Sequence, residues 1–198
     1  IGRGAFSRVF LCEQTGRFRQ KCAAKYFDLD KLRQRVEEGL LDSEKLEIAL
    51  VNTRRGLQVL MNFSGHDSII QLLNIFEAPD HHLMSVMEYA DGGELFELIT
   101  TRIQLTEVEA QAILKQISSG VVFLHSNGSV HRDIKAENVC LVTNGSTQQW
   151  KLCDFGFARD FENDDDTMST LCGTRGYAAP EVFFGKPSTD LYIDDKSL

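Results

Sequence analysis

A carboxylate, a lysine and an amide fall close together at Asp133, Lys135 and Asn138, directly after His131-Arg132, and Asp154-Phe155-Gly156 follows downstream. In that order the groups suit phosphoryl transfer. Asp133 can accept or orient the proton of an attacking hydroxyl, and Lys135 can neutralise charge on the phosphoryl group in flight. Asn138 and Asp154 offer hard oxygen ligands of the kind Mg²⁺ takes. A run of the form H-R-D-x-K-x-x-N is far more specific than any glycine pattern, and a D-F-G turn at loop distance makes coincidence remote.

Such groups work only if rigid elements hold them. Ile1-Gly2-Arg3-Gly4-Ala5-Phe6-Ser7-Arg8-Val9-Phe10 reads as a strand end, a tight glycine turn and a returning strand, with Gly2 and Gly4 permitting backbone close to a phosphate. Taken alone, a glycine pair of this kind is usually a plain turn. Cys22-Ala23-Ala24-Lys25-Tyr26-Phe27 has strand character with a lysine inside an apolar run. That lysine either meets an anionic partner or snorkels out from an edge strand. From Asp28 to about Leu60 the pattern is helical, with Leu32, Val36 and Leu40 on one face and Leu46, Leu50 and Val51 further along. Ile69 to Phe76 and Leu83 to Tyr89 predict two strands joined by a connection containing Pro79, His81 and His82. Those histidines are read as exposed turn residues, since no Cys or His lies at ligand spacing from them. Thr106-x-x-Glu109 is a capping box at the head of a long helix with Ala110, Ile113, Leu114, Ile117, Val121 and Leu124 on its apolar face, and Ser126-Asn127-Gly128 stops it.

Composition sets wider bounds. The 198 residues are 42% hydrophobic and 25% charged, with a formal net charge of −8. This balance opposes generic nucleic-acid binding and is compatible with a basic peptide partner, or simply with an acidic surface. Five cysteines without a C-x-x-C pair suggest neither a zinc site nor a disulfide framework, so a reducing compartment, cytoplasmic or nuclear, is expected. No apolar run reaches membrane-spanning length, and nothing at the start reads as a signal peptide.

His131-Arg132-Asp133-Ile134-Lys135-Ala136-Glu137-Asn138, Asp154-Phe155-Gly156 and Ala179-Pro180-Glu181 together resemble the eukaryotic protein kinases, and Lys135 resembles their serine/threonine division. Gly92-Gly93-Glu94-Leu95-Phe96, the stretch from Asp154 to Arg159, and Thr170-Leu171-Cys172-Gly173-Thr174 are similar to the calcium/calmodulin- and cyclic-nucleotide-regulated branches. The resemblance implies an α+β, two-lobe fold. Residues 1–87 would form a mainly antiparallel small lobe with one helix, 88–91 the hinge, and 92–198 the first part of a mainly helical large lobe. The family's D-x-W helix does not arrive, so an incomplete catalytic domain is expected.

The resemblance also distributes roles. Gly2, Gly4 and Ser7 would form the glycine-rich loop, Ser7 standing where the family has its third glycine. Val9 and Ala23 would roof the adenine and Cys140 would lie beneath it, at a position the family usually gives to leucine. Met87 would be the gatekeeper, with backbone groups of Glu88 and Ala90 on the adenine edge and Glu94 near the ribose and a basic substrate side chain. Lys25 would hold the α- and β-phosphates of ATP and pair with a helix glutamate, for which Glu47 fits. The family's spacing from that glutamate to the His66 segment is shorter, so an insertion is expected within Val51 to Val59. Thr174 would brace Asp133 and Lys135, while His131 and Phe155 would pack structurally. Thr170 would carry a regulatory phosphate, placed by an upstream kinase and held by Arg132 and Arg159.

The leading expectation is therefore phosphate transfer from ATP, with Mg²⁺, to serine or threonine of protein substrates with basic residues near the acceptor. The competing one is a truncated or pseudokinase scaffold that binds nucleotide or a partner without catalysis. Small-molecule kinases share the Asp–Asn–Asp chemistry, but Ala179-Pro180-Glu181 opposes them.

Overall fold

The computed structural model describes residues 1–3, 6–15, 19–77, 82–160, 173–174 and 176–179. Five strands, β1 (Gly2–Arg3), β2 (Arg8–Glu13), β3 (Lys21–Phe27), β4 (Leu72–Glu77) and β5 (Leu83–Glu88), form an antiparallel sheet in the order β1-β2-β3-β5-β4. Short connections between successive antiparallel strands favour this order, and the hydrophobic pattern sets the register. Val9 pairs with Lys25, and Lys25 with Ser85, while Ala23 lies between Leu11 and Met87.

The charged stretch after β3 is two helices, α1 (Leu29–Glu37) and α2 (Ser43–Phe63). Asp28 caps the first by accepting from the Lys31 N–H at 3.1 Å, and Asp42 caps the second through the Glu44 N–H at 2.9 Å. Gly39, at φ +69°, lies in the break between them. Leu29, Leu32 and Leu46 close a core with Phe27 and Leu83 of the sheet.

The stretch in which the insertion is expected lies inside α2. Residues 51–59 are ordinary turns of a continuous helix, and Gly56, Val59 and Leu60 are buried. It carries the helical stripe Asn52, Gly56, Val59, Leu60 and Phe63, of which Val59, Leu60 and Phe63 pack into the larger hydrophobic core.

The second half contains α3 (Leu95–Arg102), α4 (Glu107–Ser126), a β7–β8 hairpin (Val139–Asn144 and Thr147–Leu152) and the short pair β6 (Ser129–Val130) with β9 (Arg159–Asp160). The Thr106–Glu109 capping box forms as expected. The buried face of α4 is Ile113, Ile117, Gly120 and Leu124. Leu114, expected on that face, is 63% exposed because it sits one position off the stripe.

Both halves share one core. Val59 and Leu60 of α2 meet Ile117 and Leu124 of α4, Leu152 of β8 and Phe155. Backbone bonds tie the seam: Leu152 donates to the Ser68 carbonyl at 2.8 Å, and Ile70 donates to the Leu152 carbonyl at 3.0 Å. Among the described residues no helix is long and apolar enough to cross a membrane.

Candidate active site

The loop between β6 and β7 is tied down by its own side chains. His131 is buried; its Nε2 faces the Cys153 carbonyl at 2.9 Å and its Nδ1 faces the Asp133 N–H at 3.4 Å. A carbonyl on one side and an N–H on the other leave the Nε2–H tautomer as the one that satisfies both. Burial pushes the imidazole pKa down, against the raising effect of the Cys153 carbonyl. Arg132 takes a positive φ of 63°, and its Nε donates to the Phe157 carbonyl at 2.7 Å.

Asp133 is therefore delivered at a fixed place, with a side chain only 6% exposed. Its carboxylate is surrounded. The Thr174 hydroxyl donates to Oδ1 at 2.7 Å, Asn138 Nδ2 donates to Oδ2 at 2.8 Å, and Lys135 Nζ stands 3.0 Å from Oδ2. Lys135 also donates to the Thr174 hydroxyl at 2.5 Å, and Asn138 donates to the Asp133 carbonyl at 2.8 Å. The predicted residues Asp133, Lys135, Asn138 and Thr174 thus form one network. Because the amide nitrogen of Asn138 is committed inward, its oxygen is the end left for a cation.

Across the cleft, Lys25 Nζ meets Asp154 Oδ1 at 2.7 Å, with the two side chains 20% and 48% exposed. Asp154 has a positive φ of 54°, and its carboxylate also accepts from the Gly156 N–H at 3.2 Å. Surrounding protein disfavours its charge, but Lys25 and the Gly156 N–H outweigh that and hold the carboxyl below the ordinary range. Asp154 and Asn138 supply two hard oxygens, which fits Mg²⁺, a cation that takes few protein ligands and completes its shell with water and phosphate. Among the described residues no cluster of three or more His, Cys, Asp or Glu forms an all-protein metal cage.

The expected partner of Lys25 is corrected. Glu47 is exposed, and it lines a cavity of about 640 Å³ together with Arg55 and Arg159. The carboxylates of α2, Glu44 and Glu47, lie in its N-terminal part. The residues of α2 against the Asp154-Phe155-Gly156 turn come later, and they include Gly56, on which a Cβ would stand 1.8 Å from the Phe155 carbonyl oxygen. Sequence reasoning placed Gly56 in the expected insertion and gave it no role at the site. The signal was present as a lone glycine inside a helical pattern, a residue that costs helix stability and so asks for a reason in packing.

The remaining cleft residues line up along the strands. Val9, Ala23 and Met87 sit on paired strands, and Ser7 is buried just before β2. Cys140 lies on β7 and bridges to Glu94. Glu88 gives its backbone N–H to the Gln71 carbonyl at 3.0 Å. Its side chain pairs with Lys151 at 2.6 Å in a mostly buried contact that the sequence did not announce. After Ala90 the chain is clamped to β7: Gly92 donates to the Leu141 carbonyl at 3.0 Å, and Asp91 accepts from both the backbone and the hydroxyl of Thr143. A Cβ on Gly92 would fall 2.5 Å from Leu141 Cγ, so only glycine fits there. Glu94 heads α3. Burial raises its carboxyl pKa, and the nearby Glu97 and Glu137 raise it further.

Arg159 is buried and donates to the Asn52 side chain of α2 at 2.5 Å. Gly4, Thr170, Pro180 and Glu181 lie outside the described residues.

Comparison with known proteins agrees with this arrangement. The family model described as "protein kinase domain" matches residues 1–194. The chain is 39% identical over 191 residues to the serine/threonine-protein kinase H1 homolog of Danio rerio, covering 96% of this chain and 41% of that protein. It is 35% identical over 195 residues to calcium/calmodulin-dependent protein kinase type IV of Mus musculus, covering 97% of this chain and 37% of that protein. With calcium/calmodulin-dependent protein kinase type 1 of Caenorhabditis elegans it shares 35% over 187 residues, 94% of this chain and 49% of the relative. The chain therefore spans less than half the length of these relatives. With a sheet, a catalytic loop and a D-F-G turn arranged as described, and a family match along nearly its whole length, the chain belongs to the protein kinase family, on the side of its serine/threonine kinases.

Proposed function

We propose that the protein transfers the γ-phosphate of ATP to serine or threonine hydroxyls of protein substrates. One observation carries this reading: Asp133, Lys135, Asn138 and Thr174 are locked into a single hydrogen-bonded network opposite the Lys25–Asp154 pair. Asp133 orients the acceptor hydroxyl and takes its proton. Lys135, already neighbouring that carboxylate, faces the charge that builds on the phosphoryl oxygens, and Lys25 binds the nucleotide phosphates. Asn138 and Asp154 would hold Mg²⁺, which when bound spreads the charge of the nucleotide phosphates. Positioning is the main contribution of the protein, because phosphoryl transfer asks for little covalent chemistry from side chains.

Glu94 and Glu137 support a preference for arginine or lysine near the acceptor, since Glu137 stands close enough to add, after burial and Glu97, to the raised pKa of the Glu94 carboxyl. The net charge of −8 supports the same preference. Regulation is proposed through phosphorylation of Thr170 by an upstream kinase, with Arg132 and Arg159 as its charge-assisted partners. The test is phosphate transfer from ATP·Mg²⁺ to a basic serine-containing peptide by the parent and by Asp133→Asn. Transfer by the parent and its loss in the variant support the reading; equal transfer by both overturns it. A nucleotide-binding scaffold is the second reading, favoured by the absence of a helix carboxylate at Lys25, and it predicts a thermal shift with ATP·Mg²⁺ without transfer.

A further inference from the structure

Lysine in a half-buried strand needs a counter-charge, and the chemistry proposed above needs Lys25 and Asp154 in fixed relation. The helix facing them carries no such charge where it makes contact. Asn52, Gly56, Val59 and Leu60 form the α2 stripe over the turn: Asn52 accepts from Arg159, Gly56 lies on the Phe155 carbonyl, and Val59 and Leu60 join the core around Phe155. Glu47 stands nine positions before Gly56, which is two and a half helical turns, about 13 Å along the axis. It lies exposed on the cavity with Arg55 and Arg159.

Gly56 is also costly as a helix residue. Glycine is the poorest ordinary helix former after proline, and it sits here in the middle of a helix of 21 residues. Its use is visible in the contact it allows. An added Cβ would stand 1.8 Å from the Phe155 oxygen and 2.8 Å from its carbonyl carbon, both backbone atoms that cannot swing aside as a side-chain tip would. Backbone therefore rests on backbone, and the turn cannot rise toward α2.

We infer that Gly56 is a positioning residue of this site: it seats α2 directly on the Phe155–Gly156 backbone and so fixes the turn, while Asp154 itself supplies the counter-charge of Lys25 and no α2 carboxylate takes part. The inference rests on the kinase reading for its meaning, but the geometry it describes exists without nucleotide. One consequence is that a cation and nucleotide must share Asp154 and Lys25 with the pair these two residues already form. Another is that side chains at position 56 move the turn through the helix, not through charge.

The experiment has two arms on the full-length protein. In the first, Gly56→Ala and Glu47→Gln are compared with the parent for transfer and for the Mg²⁺ concentration giving half the maximal rate. Gly56→Ala is expected to lower kcat by on the order of 100-fold, as displacement of catalytic groups by about 1 Å does, and to raise the Mg²⁺ requirement, whereas Glu47→Gln stays within about twofold of the parent, as a surface change away from the site should. A merely structural glycine in a helix would give a better-folded, equally active alanine variant, because alanine favours helix. Equal activity of Gly56→Ala, or a loss in Glu47→Gln as large as in Gly56→Ala, overturns the inference. In the second arm, side-chain ¹⁵N NMR follows the Lys25 ammonium without nucleotide. Its signal should move in Asp154→Asn and stay in Glu47→Gln; the reverse pattern overturns the inference even if Gly56→Ala fails to fold. An inactive parent would sink the proposed function and leave this second arm decisive.

Discussion

The catalytic loop and the Asp154-Phe155-Gly156 turn face each other, and they are held by different physics. Around Asp133, position is set by donors: Thr174, Asn138 and Lys135 reach its carboxylate and the His131 ring takes its N–H. Around Phe155, position is set by shape. A buried ring packs edge-on to His131 at 4.8 Å between centroids, α2 lies on its carbonyl through Gly56, and one ion pair to Lys25 is the main polar tie. Hydrogen bonds inside a low-dielectric network fix direction, whereas packing fixes distance and tolerates no added volume. Damage should follow the same division, with chemistry lost from one side and order lost from the other.

Asp133→Asn should give the largest effect. It keeps the shape and removes the base, so transfer should fall by about 10²- to 10⁴-fold, while the thermal shift with ATP·Mg²⁺ stays that of the parent. A parental rate, or loss of the shift, would mean the loop is not doing chemistry separately from binding. Next in size is Phe155→Ala. The ring is 4% exposed and belongs to the core shared by both halves. Emptying its site should cost about 3–5 kcal/mol, seen as a lower urea midpoint. A variant as stable as the parent would show that the turn is not held by packing.

The two regions also differed in how far the sequence disclosed them. Asp133, Lys135 and Asn138 lie within one short run whose residue types and order point to their chemistry, whereas Thr174 joined them only through the family resemblance of a second motif. The strands carrying Val9, Ala23, Lys25 and Met87 were legible for a similar reason, since alternation and turn residues act locally. The contact of α2 with the turn joins residues about a hundred positions apart in sequence, and no local rule reports which helical residue meets which carbonyl. Glu47 looked suitable because it is acidic and sits on the right helix, but suitability of type is not proximity. The same holds for Lys151 with Glu88 and for Leu114, whose apolar character said nothing about the one-position offset that leaves it exposed.

Thr174→Ala tests the polar side at smaller scale. Its hydroxyl accepts from Lys135 and donates to Asp133, so its loss should leave two charged groups each short of one hydrogen bond. At about 1.5–3 kcal/mol for a bond to a charged group, kcat should fall roughly 10- to 100-fold, with the urea midpoint little changed. Thr174→Ser, which keeps the hydroxyl, should recover most of the rate; failure of that rescue would point to the methyl group and hence to packing.

His131 belongs to both regions, which makes its titration the finest test of their separation. Its Nδ1 faces the Asp133 N–H, its Nε2 faces the Cys153 carbonyl, and its ring meets Phe155. Burial lowers its folded pKa below the ordinary 6.5. As pH falls through about 6.5, the unfolded chain takes up a proton that the folded one refuses, so the unfolded state binds more protons and stability declines as acid is added. The decline ends where the folded pKa is reached. At neutral pH the contribution is fully present, and in acid a charged ring would also put a proton on Nδ1 against the Asp133 N–H. Urea unfolding of the parent between pH 7.5 and 5.5 should therefore show a steeper loss than that of His131→Gln, which has no imidazole to titrate. Equal slopes would place the acid sensitivity elsewhere, and a loss of transfer preceding any loss of stability in the parent would show that the loop yields before the packed turn does.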